Sequence, residues 1–363
     1  MHDGADGVCG FAARRTWFIC LHLLRELELR YEGDTVIVSQ SSSRFFGPVP
    51  TKRACERLFG AHSGQRLRGT LGGFRVRFVT YNIQYGRGRD GCFDLPRIAA
   101  ELRGADVIAL QEVERYWQRS GLQDQPAELA RLLGFTHWVY GAGIDLHLET
   151  LPPAAPAGAR RQFGNMLLAR TPILYSRNHL LPKYASNGPM SLQRSALEAV
   201  IGTRSGAIRV VSLHLTHLSS QTRLPQIEQL LSLHTIACRE GAPLTCGAIK
   251  AEWVDERLPV AMPREAVLMG DFNMEADSEE YQRICGPVSV YGGRICNPEG
   301  FVDAWVVSGH GEDEGATADI KGRPARIDYC FVSAALASGI GTVSIDSAAR
   351  GSDHQPLWME LVP

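Results

Sequence analysis

Along residues 76 to 354, strand-like apolar runs repeatedly stop on a polar residue able to bind a metal ion or a phosphate. "RFVTYN" ends on Asn82, "VIALQE" on Glu112, "RVVSLH" on His214, and "AVLMGDFN" on Asp271 and Asn273. "ARID" carries Asp328 inside a strand, and "GSDH" sets Asp353 beside His354 just ahead of the apolar run "LWMELV". Taken singly, each has a bland reading. Asn82 suits a turn, Glu112 a solvated strand end, His214 a hydrogen-bonded core position, Asp328 an ion pair, and Asp353-His354 a turn. "GDFN" is harder to dismiss, because Asp271 follows a buried strand through a glycine and Asn273 can project to the same side. A carboxylate and an amide on one side suit a hard cation or an attacking water. The whole set is carboxylates, two amides and two histidines, without thiols. Oxygen-rich ligands point to Mg²⁺, with Mn²⁺ as the substitute, rather than to zinc. Histidines beside them suit general acid work or stabilisation of a pentavalent phosphorus. The chemistry implied is metal-assisted hydrolysis of a phosphate ester. His217, three residues after His214, falls on the opposite face of a continued strand and is read as structural.

The elements that must position these residues follow from periodicity. "RVRFVTYNI" alternates, and "DVIALQEV" is a nearly continuous apolar run of the kind found in buried strands. "DLPRIAAEL" has helical spacing with Asp94 as its N-cap, "PAELARLL" is helical, and "RLPQIEQLLSLHTIA" is an amphipathic helix. "THWVYGAG", "GNMLLAR", "ILYSRNHLL", "SALEAVIGT", "IRVVSLHLTHL", "AVLMGDFN", "ARIDYCFVS" and "HQPLWMELV" read as further strands. Long strands interleaved with a few helices predict two packed sheets with helices outside, an α/β sandwich. Two long stretches, Ile144 to Gln162 and Arg239 to Pro263, resist assignment and are candidates for substrate-binding loops.

Residues 1–72 differ from the rest and carry no chemical motif, so the expected division is an N-terminal extension (1–72) and a catalytic domain (73–363). Within the extension, "ELELRYEGDTVIVSQ" predicts a small hairpin about Gly33-Asp34, Pro50 to Phe59 a short helix, and "GTLGGF" a linker. "TWFICLHLL" at Thr16 to Leu24 is too short to span a bilayer and lacks a small-residue cleavage site, so no signal peptide, no membrane insertion and a cytoplasmic location are expected. The nine cysteines are scattered without a C-x-x-C, which argues against a disulfide framework or a zinc ribbon. With 44% hydrophobic and 21% charged residues, the 363-residue chain is of ordinary globular composition. A net charge of −1 supplies no global basic field, so any polyanion must be held by a local patch.

In their order, "TYNIQYG", "ALQEV", "GNMLLAR", "SLHLTHLS", "GDFN", "RIDYCFVS" and "SDHQPL" resemble the motifs of the endonuclease/exonuclease/phosphatase superfamily. The resemblance covers Arg75 to Pro363. It implies a four-layer α/β sandwich, deoxyribonuclease-I-like, with two mostly antiparallel sheets and the active site where strand ends of both converge. It also implies residue roles. Glu112 would be the principal Mg²⁺ ligand with Asn82 beside it, and Asp353 would assist the metal or the nucleophile. Asp271 would orient or deprotonate the attacking water, and Asn273 would hold the nucleophile or a phosphate oxygen. His354, steered by Asp328, would stabilise charge on the scissile phosphate, and His214 would stand near the leaving group. Arg194 in "LQRSALEAV" is a candidate for reaching a phosphate oxygen, with a surface ion pair as the alternative. Gln84 stands where abasic-site endonucleases carry an acid, and "LMGDFNME" departs from the 5-phosphatase pattern. The start and "HLTHLS" look most like bacterial hydrolases near the sphingomyelinase and deoxyribonuclease branches. The expected activity is hydrolysis of a phosphodiester, whether nucleic acid, phospholipid or small molecule. The alternatives are a phosphomonoesterase and a non-catalytic binding protein on the same fold.

Overall fold

The computed structural model describes residues 28–32, 35–39, 75–149, 155–246 and 260–363. The chain divides into two compact units, Met1–Thr70 and Leu71–Pro363. In the first, β1 (Glu28–Glu32) and β2 (Thr35–Ser39) pair antiparallel, with Leu29 opposite Val38. This is the hairpin read from the alternation of that stretch. The helix expected over Pro50 to Phe59, the Gly-rich linker and the Thr16 to Leu24 segment lie outside the described residues.

Two six-stranded sheets dominate the second unit. One contains β3 (Val76–Asn82), β4 (Val107–Arg115), β5 (His137–Leu146), β6 (Arg161–Ala169), β15 (Ile340–Ile345) and β16 (Leu357–Leu361), in the order β15-β16-β3-β4-β6-β5. The other contains β7 (Ile173–Leu180), β8 (Ser195–Thr203), β9 (Gly206–His214), β10 (Ala266–Asp271), β11 (Phe301–Asp303) and β14 (Asp328–Ser333), in the order β11-β14-β10-β9-β8-β7. A separate hairpin joins β12 (Ala318–Ile320) to β13 (Arg323–Ala325). Each sheet holds a single parallel pair, β3 with β4 and β9 with β10. Parallel neighbours need a crossover, and a helix lies in each: α1 (Leu95–Glu101) between β3 and β4, and α3 (Ser220–Glu240) between β9 and β10. The remaining α-helices among the described residues are α2 (Gln125–Leu133), α4 (Glu279–Cys285) and α5 (Ala304–Val307).

Local chemistry accounts for the helix boundaries. Asp94 caps α1 by accepting from the Arg97 amide at 2.9 Å, and Asp124 caps α2 through the Ala127 amide at 3.3 Å. The helix expected from Arg223 starts earlier, at Ser220, because Ser219 and Thr222 form a reciprocal capping box. No described helix is long and apolar enough to cross a membrane.

Alternation along the strands builds four layers. Phe78, Val107, Ala109 and Leu167 of one sheet meet Leu197, Val210, Val267, Met269 and Cys330 of the other in a central apolar layer. Their odd-step neighbours Val79, Tyr81, Ile108 and Leu110 pack outward on Ile98 of α1 and Leu129 of α2. Leu213, Leu268, Tyr329 and Phe331 do the same on Ile227 and Leu230 of α3 and Tyr281 of α4. Full burial of side chains this large contributes roughly 1.5–3 kcal/mol each.

The inner layer changes character along its length. The inner-face series Phe78, Thr80, Asn82 turns polar toward the C-terminal end of β3, and Val210, Ser212, His214 does so along β9. Midway, Gln111 Nε2 donates to Thr80 Oγ1 at 3.2 Å and across the sheets to Ser212 Oγ at 3.1 Å, satisfying three buried polar groups. Beyond this bridge, the C-terminal ends of both parallel pairs open on the same edge of the sandwich, the usual place for a site in sheets with parallel strands.

Candidate active site

Pairing register lines up the first three residues of the site. Asp271, the last residue of β10, lies opposite His214 of β9 on one side and Asp328 of β14 on the other. All three are buried on the inner face. From the facing sheet, Asn82 Nδ2 donates to Asp271 Oδ2 at 3.0 Å, so the two sheets are joined at this point. The same nitrogen lies 3.4 Å from Glu112 Oε1 and 3.5 Å from His354 Nε2.

Glu112 reaches the cluster through an irregularity. Strict alternation puts Gln111 on the inner face and Glu112 on the outer one. The β4–β6 register breaks between Leu110 and Val113, and Glu112 has a positive φ of 59°. Such a bulge re-aims a side chain at the expense of local backbone strain. The carboxylate keeps 19% exposure yet is enclosed by protein atoms, as at the floor of a cleft. Desolvation raises its pKa, opposed by Arg194 and His354.

His354 forms a dyad with Asp328, its Nδ1 lying 2.9 Å from Asp328 Oδ2. Burial alone would lower its pKa, but the Asp328 carboxylate, through charge and hydrogen bond, pushes it up to about 10. Burial pushes Asp271 up to about 7, with His354 opposing the shift.

Arg194 is buried, which rules out the surface ion pair that was its alternative reading. Its guanidinium donates to His214 Nδ1 at 3.0 Å and lies 3.5 Å from His217 Nδ1. A guanidinium has no acceptor, so His214 Nδ1 must carry the lone pair. The neutral ring then holds its proton on Nε2, which lies 3.2 Å from Asp271 Oδ2 and 3.0 Å from the Asn273 side-chain amide. Burial, and next the Arg194 charge, hold the His214 pKa well below its ordinary value. His217 is not on the opposite face of a strand, because β9 ends at His214 and the chain then turns both rings toward one arginine. Arg194→Met is expected to lower turnover roughly 10–100-fold, the usual effect of losing a group that orients a site histidine. In ¹⁵N spectra of the imidazoles, His214 should lose its single tautomer; an unchanged His214 signal would contradict this role.

Asn273 and Asp271 do come together, but not by strand alternation. β10 ends at Asp271, and Asn273 takes a left-handed φ of 51°. Its amide N–H donates to Asp271 Oδ1 at 2.9 Å, and its Nδ2 donates to the Leu215 carbonyl at 3.0 Å, beside His214 Nε2. Asp353 stands apart from this knot. It is exposed at the rim, where it accepts from Gln84 Nε2 at 2.7 Å and from the Ser352 hydroxyl at 3.1 Å.

Among the described residues, the acids and histidines grouped closely enough to share one metal ion are Asp271, Asp328 and His354. Glu112 and Asn82 adjoin that group through the Asn82 amide, whereas Asp353 faces Gln84. The donor set fits a hard divalent cation. Two of the carboxylates, Glu112 and Asp271, have pKa values raised by desolvation, and Asp328 Oδ1 is a buried oxygen without a hydrogen-bond partner.

Reasoning from the sequence missed two supports. Glu101 of α1 accepts from the amides of Arg350 at 2.6 Å and Gly351 at 3.0 Å, and from Tyr81 OH at 3.1 Å, clamping the loop that carries Asp353 and His354. Asn165 Nδ2 donates to the Ser195 carbonyl at 2.7 Å, tying β6 to β8 beside Arg194. Asn165 sits in "GNMLLAR", so a signal existed, whereas Glu101 looks like any helix-surface acid.

A profile described as the Endonuclease/Exonuclease/phosphatase family matches residues 79–354, from β3 to His354 itself. No curated protein sequence matches the chain. Solved structures share the fold. An endonuclease/exonuclease/phosphatase from Beutenbergia cavernae DSM 12333 is 21% identical at a TM-score of 0.51, covering 79% of this chain and 71% of that one. One from Bacteroides vulgatus is 20% identical at 0.50, covering 79% and 98%. A family protein from Bacteroides thetaiotaomicron is 14% identical at 0.52, covering 79% and 97%.

Proposed function

The chain belongs to the endonuclease/exonuclease/phosphatase family, and on that premise we propose that it is a Mg²⁺-dependent hydrolase that cleaves a phosphodiester by in-line attack of an activated water. The observation that carries this reading is Asp271, a buried carboxylate that accepts from Asn82 of the facing sheet and lies 3.2 Å from His214 Nε2 and 3.8 Å from His354 Nε2.

Asp271 has a pKa of about 7, suited to taking a proton from water at neutral pH. Asn273, through its own amide and side chain, holds the Asp271 carboxylate and the loop after it in place. His354, protonated through neutral pH, provides positive charge and a donor where negative charge grows on phosphorus oxygens. Asp328 keeps that ring oriented and charged. His214 is a neutral donor through Nε2, suited to hydrogen bonding an oxygen without delivering a full charge. Glu112, Asn82 and Asp328, whose Oδ1 has no hydrogen-bond partner, would hold the cation, whereas Asp353 faces Gln84 at the rim. A bound Mg²⁺ or Mn²⁺ supplies Lewis acidity to a phosphoryl oxygen.

Hydrolysis of bis(p-nitrophenyl) phosphate is expected with Mg²⁺ or Mn²⁺, is expected to be abolished by EDTA, and should be lost in Glu112→Ala. p-Nitrophenyl phosphate run in parallel tests the phosphomonoesterase alternative, which a strong preference for the monoester would favour. Absence of metal-dependent turnover on both would sink the hydrolase reading in favour of a binding protein.

A further inference from the structure

One wall of the catalytic cleft carries an arrangement that the hydrolytic chemistry does not use. Immediately after Asn82, Gln84 and Tyr85 adopt left-handed φ values of 43° and 47°, a strained pair of non-glycine residues. The Gln84 amide donates to Asn82 Oδ1 at 3.1 Å and its side chain to Asp353, while Gln125 Nε2 grips the Tyr85 carbonyl at 2.7 Å. These hydrogen bonds hold the Gln84–Tyr85 backbone beside Asn82. Tyr85 begins a ladder of flat groups. Phe93, 47% exposed, has its ring 6.1 Å from that of Tyr85 at a tilt of 35°, and the Arg119 guanidinium lies over the Tyr85 ring at 4.1 Å. Arg119 also lies 4.9 Å from Trp117, which has Arg161 at 5.6 Å. The buried Glu114 anchors Arg119 through its Nε at 2.9 Å.

Beside the ladder runs a cationic rim. Arg87, Arg89 and Arg350 are exposed, and among the described residues none has a carboxylate partner. Acids of the hairpin and of α1 are engaged elsewhere. Asp90 is held by Arg97 at 2.6 Å, Asp94 faces the same guanidinium at 3.9 Å, and Glu101 clamps the backbone of Arg350 and Gly351. The rim is rigid. Arg87 and Phe93 pair across a small hairpin, the Arg89 amide donates to the Arg350 carbonyl at 3.1 Å, and Arg97 pins the hairpin tip through Asp90 and the Cys92 carbonyl. This is the local patch that a chain of net charge −1 needs in order to hold a polyanion.

We propose that this wall is a binding site for single-stranded nucleic acid, with Arg87, Arg89 and Arg350 on phosphates flanking the scissile one and an unstacked base on the Tyr85–Phe93 side of the ladder. The assignment rests on the phosphodiesterase reading and narrows its substrate class. Rings interleaved with guanidinium groups suit exposed base faces, which a duplex keeps stacked, and three arginines without a carboxylate partner among the described residues, on two loops joined by a backbone hydrogen bond, suit a phosphate backbone. A lipid surface offers phosphates but no flat partner for the ladder.

The test is fluorescence anisotropy with labelled oligothymidylate in EDTA, so that binding is read without cleavage. Arg87→Ala/Arg89→Ala/Arg350→Ala is expected to weaken binding about 10-fold or more and to flatten the log–log salt slope by about 2, at about 0.7 per phosphate contact on a single strand. Tyr85→Leu should weaken binding with the slope unchanged, and Phe93→Leu serves the same purpose if the first variant does not fold. Both sets should retain hydrolysis of bis(p-nitrophenyl) phosphate. Oligonucleotide binding that is absent, or equal in wild type and the triple variant, overturns the proposal while that hydrolysis persists. So does tighter binding of a duplex of equal length, or phosphatidylserine vesicle binding that the triple variant loses. Loss of bis(p-nitrophenyl) phosphate hydrolysis in the wild type would instead tell against the phosphodiesterase reading.

Discussion

His354→Ala is expected to lower kcat on bis(p-nitrophenyl) phosphate about 10³-fold, the scale seen when one preorganised donor to a developing anion is removed. The ring sits where it can do this work. Its Nδ1 is held by Asp328 at 2.9 Å, and its Nε2 faces the site 3.8 Å from Asp271 Oδ2. The Asp328 charge outweighs the burial that would otherwise strip the proton, so the imidazolium persists up to about pH 10. The sign of the pH effect follows. In the proposed mechanism activity needs this proton on, so it is expected to fall as pH rises through the His354 pKa. Asp271 must be ionised to accept a proton, so activity rises with pH through a value at or below about 7, since a bound cation further favours the carboxylate. Asp328→Asn removes the group that holds the His354 proton, and the alkaline limb should then move to lower pH. Full pH–rate profiles of wild type and Asp328→Asn check this; an alkaline limb that stays in place would show that His354 is not the group titrating there.

Gly270→Ala should be among the most destabilising single changes in the protein. Gly270 has φ 151°, and a Cβ there would overlap the Leu213 carbonyl oxygen across the β9–β10 pair. Both neighbours are backbone in the middle of a sheet, so neither can give way without breaking the ladder that aligns His214 with Asp271. The expected cost is roughly 3 kcal/mol or more, or failure to fold. Gly134→Ala is the control. Gly134 caps α2 at φ 67°, with nothing within 4 Å of the added Cβ. Only the left-handed penalty of about 1–2 kcal/mol then applies. Urea or thermal unfolding of the two variants separates a close approach from a conformational preference. Equal costs would mean that the β9–β10 spacing is not what requires glycine.

These two variants also mark how far the sequence could be read. "GDFN" drew attention to Asp271, and the glycine before it proves to be part of the motif for a steric reason that no sequence pattern states. "RVRFVTYN" and "RVVSLH" were legible as strands ending on Asn82 and His214, and the structure puts both residues on inner faces, in step with period-two alternation. Asp94 was legible as a cap because its carboxylate acts within three residues. Local rules worked wherever the determining contacts were local.

They failed where the deciding partner is distant or the backbone leaves the regular path. Alternation misplaces Glu112, and only the bulge in β4 turns it into the site. Arg194 was compatible with a surface ion pair until β8 and β9 paired and buried it against His214. The Glu101 clamp joins residues 250 apart in the chain, and the Phe93–Tyr85–Arg119–Trp117 ladder draws on separate loops. Residue types and strand ends by themselves determined which chemistry to look for: an oxygen-rich candidate metal site with two histidines. Protonation states, tautomers and the ladder of rings and guanidinium groups beside the site were decided only by the tertiary structure. They depend on desolvation and on charges brought within about 4 Å by the packing of two sheets, and no one-dimensional pattern records those distances.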